Sequence, residues 1–299
     1  MKPAIEPRGC GNALTPSALA LFRFSLLLPY TIEAEDADKR ARDKSGYNLL
    51  LPTPPEMMRE LSADRPDKTD SPFTIDAGHF QVEMDIANLT YDRTKATKFT
   101  AYEIAPMNLK VGLLNSLDFQ LVYTAFRWEQ TVSHDTVTVV HRSSLEFITP
   151  RLKLNIAGND GGILAVALLP FVKLPLHKQH IDNGAIEAGL GIPFAFDIPD
   201  WDVGFQTTFR GNRDQVGSGY HSVFDNSVSV GHSLIGKLSI AVEFFSSVRA
   251  EPRADWIGTF DTWLTYQINP NLRLDGGAYL GVTSEADDLH PFIGATWRF

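Results

Sequence analysis

The chain has 299 residues, 43% of them hydrophobic and 21% charged, which is enough for a large core and too apolar for a disordered chain. Lys and Arg number 27 against 36 Asp and Glu, and the net charge of -9 argues against the basic surface that nucleic-acid binders carry. The single cysteine, Cys10, excludes an internal disulfide, and no apolar run reaches the ~18 residues that a spanning helix needs.

Lys2 and Arg8 precede an apolar stretch from Ala18 to Ile32, and the sequence turns polar at Glu33-Ala34-Glu35-Asp36. A positive flank, an apolar run and a small residue describe a secretory signal over residues 1–34, cleaved after Ala34. Arg23 within the run and Pro29 late in it leave a mildly amphipathic N-terminal helix as the alternative. Removal of Cys10 with the signal gives a cysteine-free mature chain, suited to an oxidising periplasm. Residues 35–76 are charged and rich in proline (Pro52, Pro54, Pro55, Pro66), and read as a linker or a small plug. One short helix is expected there, Pro55 to Leu61, with proline in its first turn.

From residue 77 the pattern has period two. Phe80, Val82, Met84 and Ile86 alternate with His79, Gln81, Glu83 and Asp85, and Leu238, Ile240, Val242 and Phe244 with Lys237, Ser239, Ala241 and Glu243. Twelve strands are expected, near 78–91, 99–113, 118–128, 143–157, 163–174, 185–196, 203–212, 221–232, 237–250, 256–268, 272–282 and 290–299. Pro106 falls where the alternation changes phase, so a bulge is expected in the second strand. Short turns follow the even strands, at Asn115-Ser116, 158–162, Pro199-Asp200, Ser233-Leu234 and 269–271. Longer connections follow most odd ones, for example 129–142, 176–184 and 283–289. Tight turns at one end and long loops at the other, with an even strand count, describe an up-and-down antiparallel outer-membrane β-barrel over residues 77–299, with lipid as its partner. Tyr91, Trp128, Trp201, Trp256, Trp297 and Phe299 fall near strand ends, where membrane interfaces place aromatic residues.

The run Leu61-Ser62-Ala63-Asp64-Arg65-Pro66-Asp67-Lys68-Thr69-Asp70-Ser71-Pro72, followed by Gln81-Val82-Glu83, resembles the outer-membrane transporter family labelled with the MetA pathway of phenol degradation. Leu109 to Leu113, Lys153-Leu154-Asn155, Leu169 to Pro175, Asp275-Gly276-Gly277, Gly294 and Arg298-Phe299 fit the same pattern. The resemblance covers about residues 50–299, and its most specific piece is the Asp-Arg-Pro segment. It implies a twelve-stranded outer-membrane barrel associated with aromatic or other hydrophobic compounds. Trp297 and Phe299 also resemble the terminal signal read by the barrel-assembly machinery.

With the apolar row in lipid, Glu83, Glu103, Lys110, Arg151, Lys153, Glu187, Arg210, Glu243, Asp261, Arg273, Asp275 and Arg298 line the lumen. Either they pair and fill it, or their charges select what passes. The reading is a passive channel or transporter for small hydrophobic or aromatic solutes, with no cofactor, no metal and no covalent chemistry. The alternatives are a closed barrel with a structural role and a lipid hydrolase. His141 and Ser143, two apart on one strand face, could serve such a hydrolase as base and nucleophile, a spacing that resembles outer-membrane phospholipase A. His177, His180 and Asp182 lack a rigid element and a fourth ligand, and read as solvated loop rather than a metal site.

Overall fold

The computed structural model describes residues 43–133, 136–142, 147–176, 184–214, 219–251 and 255–299, with residues 137–142 described by backbone alone. From Lys44 to Phe299 the chain is one compact unit. Its strands are β1 (Phe80–Arg93), β2 (Thr97–Leu114), β3 (Leu117–Ser133), β4 (Val137–Arg142), β5 (Phe147–Ala157), β6 (Leu164–Pro175), β7 (Glu187–Ile198), β8 (Trp201–Arg213), β9 (Tyr220–Ile235), β10 (Leu238–Arg249), β11 (Trp256–Asn269), β12 (Leu272–Gly281) and β13 (Leu289–Arg298). Every pairing is antiparallel between neighbours. β4 and β5 lie in succession along β3, the first opposite Arg127–Val132 and the second opposite Leu117–Tyr123, so they form one stave. β13 pairs with β1, and a twelve-staved barrel closes. The seam is finished by Phe299, whose N–H donates to the Phe80 carbonyl (2.9 Å) and whose carbonyl accepts the Phe80 N–H (3.0 Å).

The period-two pattern dictates which side of each strand is covered. On β10 and β11 the residues Ile240, Val242, Phe244, Phe260 and Leu264 are exposed on the outside, while Glu243 and Asp261 are buried. Gln81, Glu83, Lys110, Asp118, Gln120, Lys153, Asp275 and Thr296 are buried likewise. A soluble protein would show the reverse, whereas a closed barrel with an apolar exterior satisfies its backbone internally and meets hydrocarbon. The chain is thus built as an outer-membrane β-barrel.

Several local expectations change. The stretch expected as a long loop, 129–142, instead extends β3 to Ser133 and opens β4, because Thr131, Val132, Val137, Thr138 and Val139 are β-branched residues that continue the hairpin. Trp128 therefore sits inside β3 rather than at its end. The turn expected at Ser233-Leu234 falls at 236–237, where Gly236 supplies the required φ of 58°. The loop that joins β1 to β2, 94–96, is short, and the turn 158–163 is long, so the sorting of loop lengths by end is only partial. Near Pro106, β2 keeps step with β3 (Ile104 opposite Phe126, Pro106 opposite Thr124). The strain goes into Ala105, at a φ of 54°, and the register shift lies on β1 between Asp85 and Ala87. The helix expected over Pro55 to Leu61 is a single 3-10 turn, Pro55–Met57, without a side-chain cap.

An arginine at the lipid-facing, mid-strand Val242 should cost about 2–4 kcal/mol of barrel stability. Urea unfolding from lipid vesicles measures this, and a Val242→Arg barrel as stable as the parent would contradict the assigned outer face.

Candidate functional site: an ion-paired segment inside the barrel

The chain that precedes β1 folds against the buried side of the strands. Leu49 N–H donates to the Leu113 carbonyl at 3.0 Å, and Gly78 N–H to the Gly112 carbonyl at 2.9 Å. A Cβ on Gly112 would overlap the Asp76 backbone, so glycine permits the close approach. Lys44 and Arg59 hold Asp160 at 2.7 and 2.8 Å, and Asn159 accepts the Thr74 N–H at 3.1 Å. These bonds explain why the 158–163 turn is longer than its neighbours: it reaches inward to grip the segment.

From Asp64 to Asp70 nearly every polar group meets the wall. Asp64 pairs with Lys110 at 2.6 Å, with Arg151 at 3.0 Å and with Lys153. Its own N–H donates to Glu83, which also pairs with Lys110. Burial would raise the Asp64 carboxyl, but Lys110, Lys153 and Arg151 overcome it and hold the group far below the usual carboxylate range. Arg65 bridges Asp85 on β1 and Asp275 on β12, each at 2.6 Å. A Cβ on Gly294 of β13 would overlap the Arg65 guanidinium, which lies across that glycine. Lys68 reaches Asp261 at 2.9 Å and stacks over Phe245 and Tyr279. Glu243 accepts the Lys68 and Thr69 N–H groups at 2.9 and 2.8 Å, Thr69 Oγ1 meets Ser227 Oγ at 2.7 Å, and Asp70 pairs with Arg151 at 3.0 Å. Asp70 N–H donates to Gln206 at 2.6 Å, and further on Asn155 donates to the Pro72 carbonyl at 2.9 Å.

The twelve charged residues expected inside divide in two. Glu83, Lys110, Arg151, Lys153, Glu243, Asp261, Arg273, Asp275 and Arg298 all bond to the segment, Arg273 through the Arg65 carbonyl and Arg298 through the Arg59 carbonyl (2.8 Å each). Glu103, Glu187 and Arg210 pair along the wall instead, with Arg127, with Lys173 at 3.3 Å and with Asp225 at 2.6 Å. Asp85, Asp118, Gln120 and Gln206 belong to the same lattice and were not singled out by sequence, although the alternation around Gln81 and Glu83 places Asp85 with them. Among the aromatic residues, Trp201, Trp256, Trp297 and Phe299 are exposed, and Tyr91 is half-buried. Trp128 packs on Tyr102 at 5.3 Å. Ser143, His177, His180 and Asp182 lie outside the described residues, as does the stretch 1–34, and His141 is described by backbone alone.

Enclosure, and then the charge of Glu243, push the Asp67 carboxyl well above its usual 3.8. A carboxyl raised on folding stabilises the fold fully below its unfolded value, and that contribution is lost as the pH climbs through the folded one. Asp67→Asn should therefore slow tryptic cleavage after Lys68 relative to the parent most at alkaline pH, with the difference narrowing as the pH falls toward the ordinary carboxylate range. A difference that is constant across that range would contradict the assignment.

Solved structures with a similar trace include the NanC porin, at 13% identity and a TM-score of 0.47, covering 72% of this chain and 98% of that one. The translocator domain of the autotransporter NalP from Neisseria meningitidis matches at 7% identity and a TM-score of 0.49, covering 91% and 98%. No curated protein matches the sequence. The family described as "Putative MetA-pathway of phenol degradation" matches residues 63–299, from the Asp64-Arg65-Pro66 segment to the closing phenylalanine, and the chain belongs to that family.

Proposed function

We propose that this barrel is a passive outer-membrane channel or transporter for small hydrophobic or aromatic compounds, and that residues 44–76 are a plug that restricts its lumen. The observation that carries the reading is the lattice between the segment and the wall. It joins Asp64, Arg65, Lys68, Thr69 and Asp70 to strands β1, β2, β5 and β8 to β12 by side-chain bonds that can be exchanged without breaking the sheet. The family description, with its reference to phenol degradation, supports aromatic solutes as the class carried. Flux through it follows the concentration gradient. Residues 1–34 act as the export signal, and Phe299 at the seam is the end presented to the barrel-assembly machinery.

Planar-bilayer recording and liposome swelling with aromatic solutes test the channel. The parent protein should conduct weakly. Asp64→Asn leaves Lys110, Lys153 and Arg151 facing an uncharged group, and removing one partner of a buried ion pair costs about 3–5 kcal/mol. The variant should loosen the plug and conduct several-fold better. Well-inserted protein that passes nothing in either form would defeat the reading. Export is checked separately, since N-terminal sequencing of membrane-extracted protein should begin at Glu35, and a retained Met1 would remove the signal assignment.

A further inference from the structure

The inner row of β6 departs from that of most strands. Where β1, β2, β3, β5, β8, β10, β11 and β12 bury Glu, Lys, Asp or Gln, β6 buries Ala165, Ala167 and Leu169, at 3%, 0% and 1% exposure, and Phe171 continues the row. Gly191 and Pro193 are buried alongside on β7. Two adjacent strands thus offer an apolar inner wall, and the plug reaches past it to Arg151, Lys153 and Asn155 on β5 and to Gln206 on β8.

A cavity of about 320 Å³ remains at this wall, between it and plug residues Lys68 and Asp70. Its apolar surface is Leu169, Phe171, Gly191 and Phe245. Gly191 keeps it open, because a Cβ there would stand 3.3 Å from Thr208 Oγ1 and 3.6 Å from Leu169 Cβ. Its charged rim carries Lys68, Arg151 and Arg210, each held by carboxylates: Lys68 by Asp261, Arg151 by Asp64 and Asp70, and Arg210 by Asp225. Arg210 engages Asp225 through Nε and Nη2, at 2.6 and 2.9 Å, which leaves Nη1 as a donor to another acceptor. An apolar floor beneath a convergent set of polar groups with a remaining donor is the composition of a small-molecule site, and the volume lies at the small end of the usual range.

We propose that this cavity binds a small amphiphile with an aromatic or short alkyl body and a single carboxylate. The body lies against Leu169, Phe171 and Phe245, and the carboxylate takes the hydrogen bond of Arg210 Nη1. The inference deepens the channel reading, and only its place in passage rests on that reading, since binding is measurable without flux.

Calorimetry on the full-length protein in lipid nanodiscs, with benzoate, hexanoate, benzyl alcohol and acetate as probes, tests it. Benzoate and hexanoate should bind saturably, and both benzyl alcohol, which lacks the charge, and acetate, which lacks the body, should bind about ten-fold more weakly or worse. Arg210→Gln should cost benzoate about ten-fold and leave benzyl alcohol unchanged. Gly191→Val fills the cavity without altering charge and should weaken benzoate and hexanoate together, with heat-modifiable gel migration showing that each variant is folded. Absence of benzoate binding, equal binding of acetate, or binding unmoved by both folded variants overturns the site. Saturable binding without conductance supports the site and overturns the channel, whereas conductance without benzoate binding overturns the site and leaves the channel standing.

Discussion

An ionic group taken out of water needs an opposite charge or several donors close by, and the inside of this barrel holds many such groups in a small space. Outside, the hydrocarbon demands the opposite, an uninterrupted apolar row. The strands meet both demands by alternating, but the wall alone does not balance itself. Lys110, Lys153 and Arg151 stand close together on β2 and β5, and Asp64 of the entering segment pairs with all three. On the far side Glu243, Asp261 and Asp275 are met by the Lys68 and Thr69 amides, the Lys68 ammonium and the Arg65 guanidinium. The segment and the wall are electrostatic halves of one interior. The same lattice gives the lumen its distinction between filled and unfilled sides, since the bonds of the segment concentrate where the wall is charged and the remaining cavity lies where β6 turns apolar.

The barrel was legible in the sequence because its two periodicities reinforce each other. Ile240, Val242 and Phe244 set against Glu243, or Leu264 and Tyr266 against Asp261, leave one arrangement in which both rows are satisfied, and it needs no knowledge of distant residues. The lengthening of β3 past Trp128 was hidden for the converse reason. Glu129, Gln130 and Thr131 carry polar side chains on both faces, so the stretch reads as loop until its pairing with Val139 and Val140 is seen.

The segment 44–76 could be recognised as unusual but not placed. It has no period, and several of its bonds run to partners more than 150 residues away, as from Arg65 to Asp275 or from Lys68 to Asp261. What signalled its importance was density of charge between prolines, the Asp64 to Asp70 run, without any local element for those charges to serve. The inner row of β6 was not singled out from the sequence. Ile163 to Val172 is apolar on both faces, a pattern that alternation cannot explain and that lipid on one side with an apolar cavity on the other does.

Arg65 carries a consequence for how the molecule is put together. Its guanidinium ties the first strand to the twelfth, and between them runs the strand that is made last, with Gly294 directly beneath the charge. Any side chain at that place would meet the guanidinium, so the span of Arg65 from the first strand to the twelfth depends on the strand between them offering none.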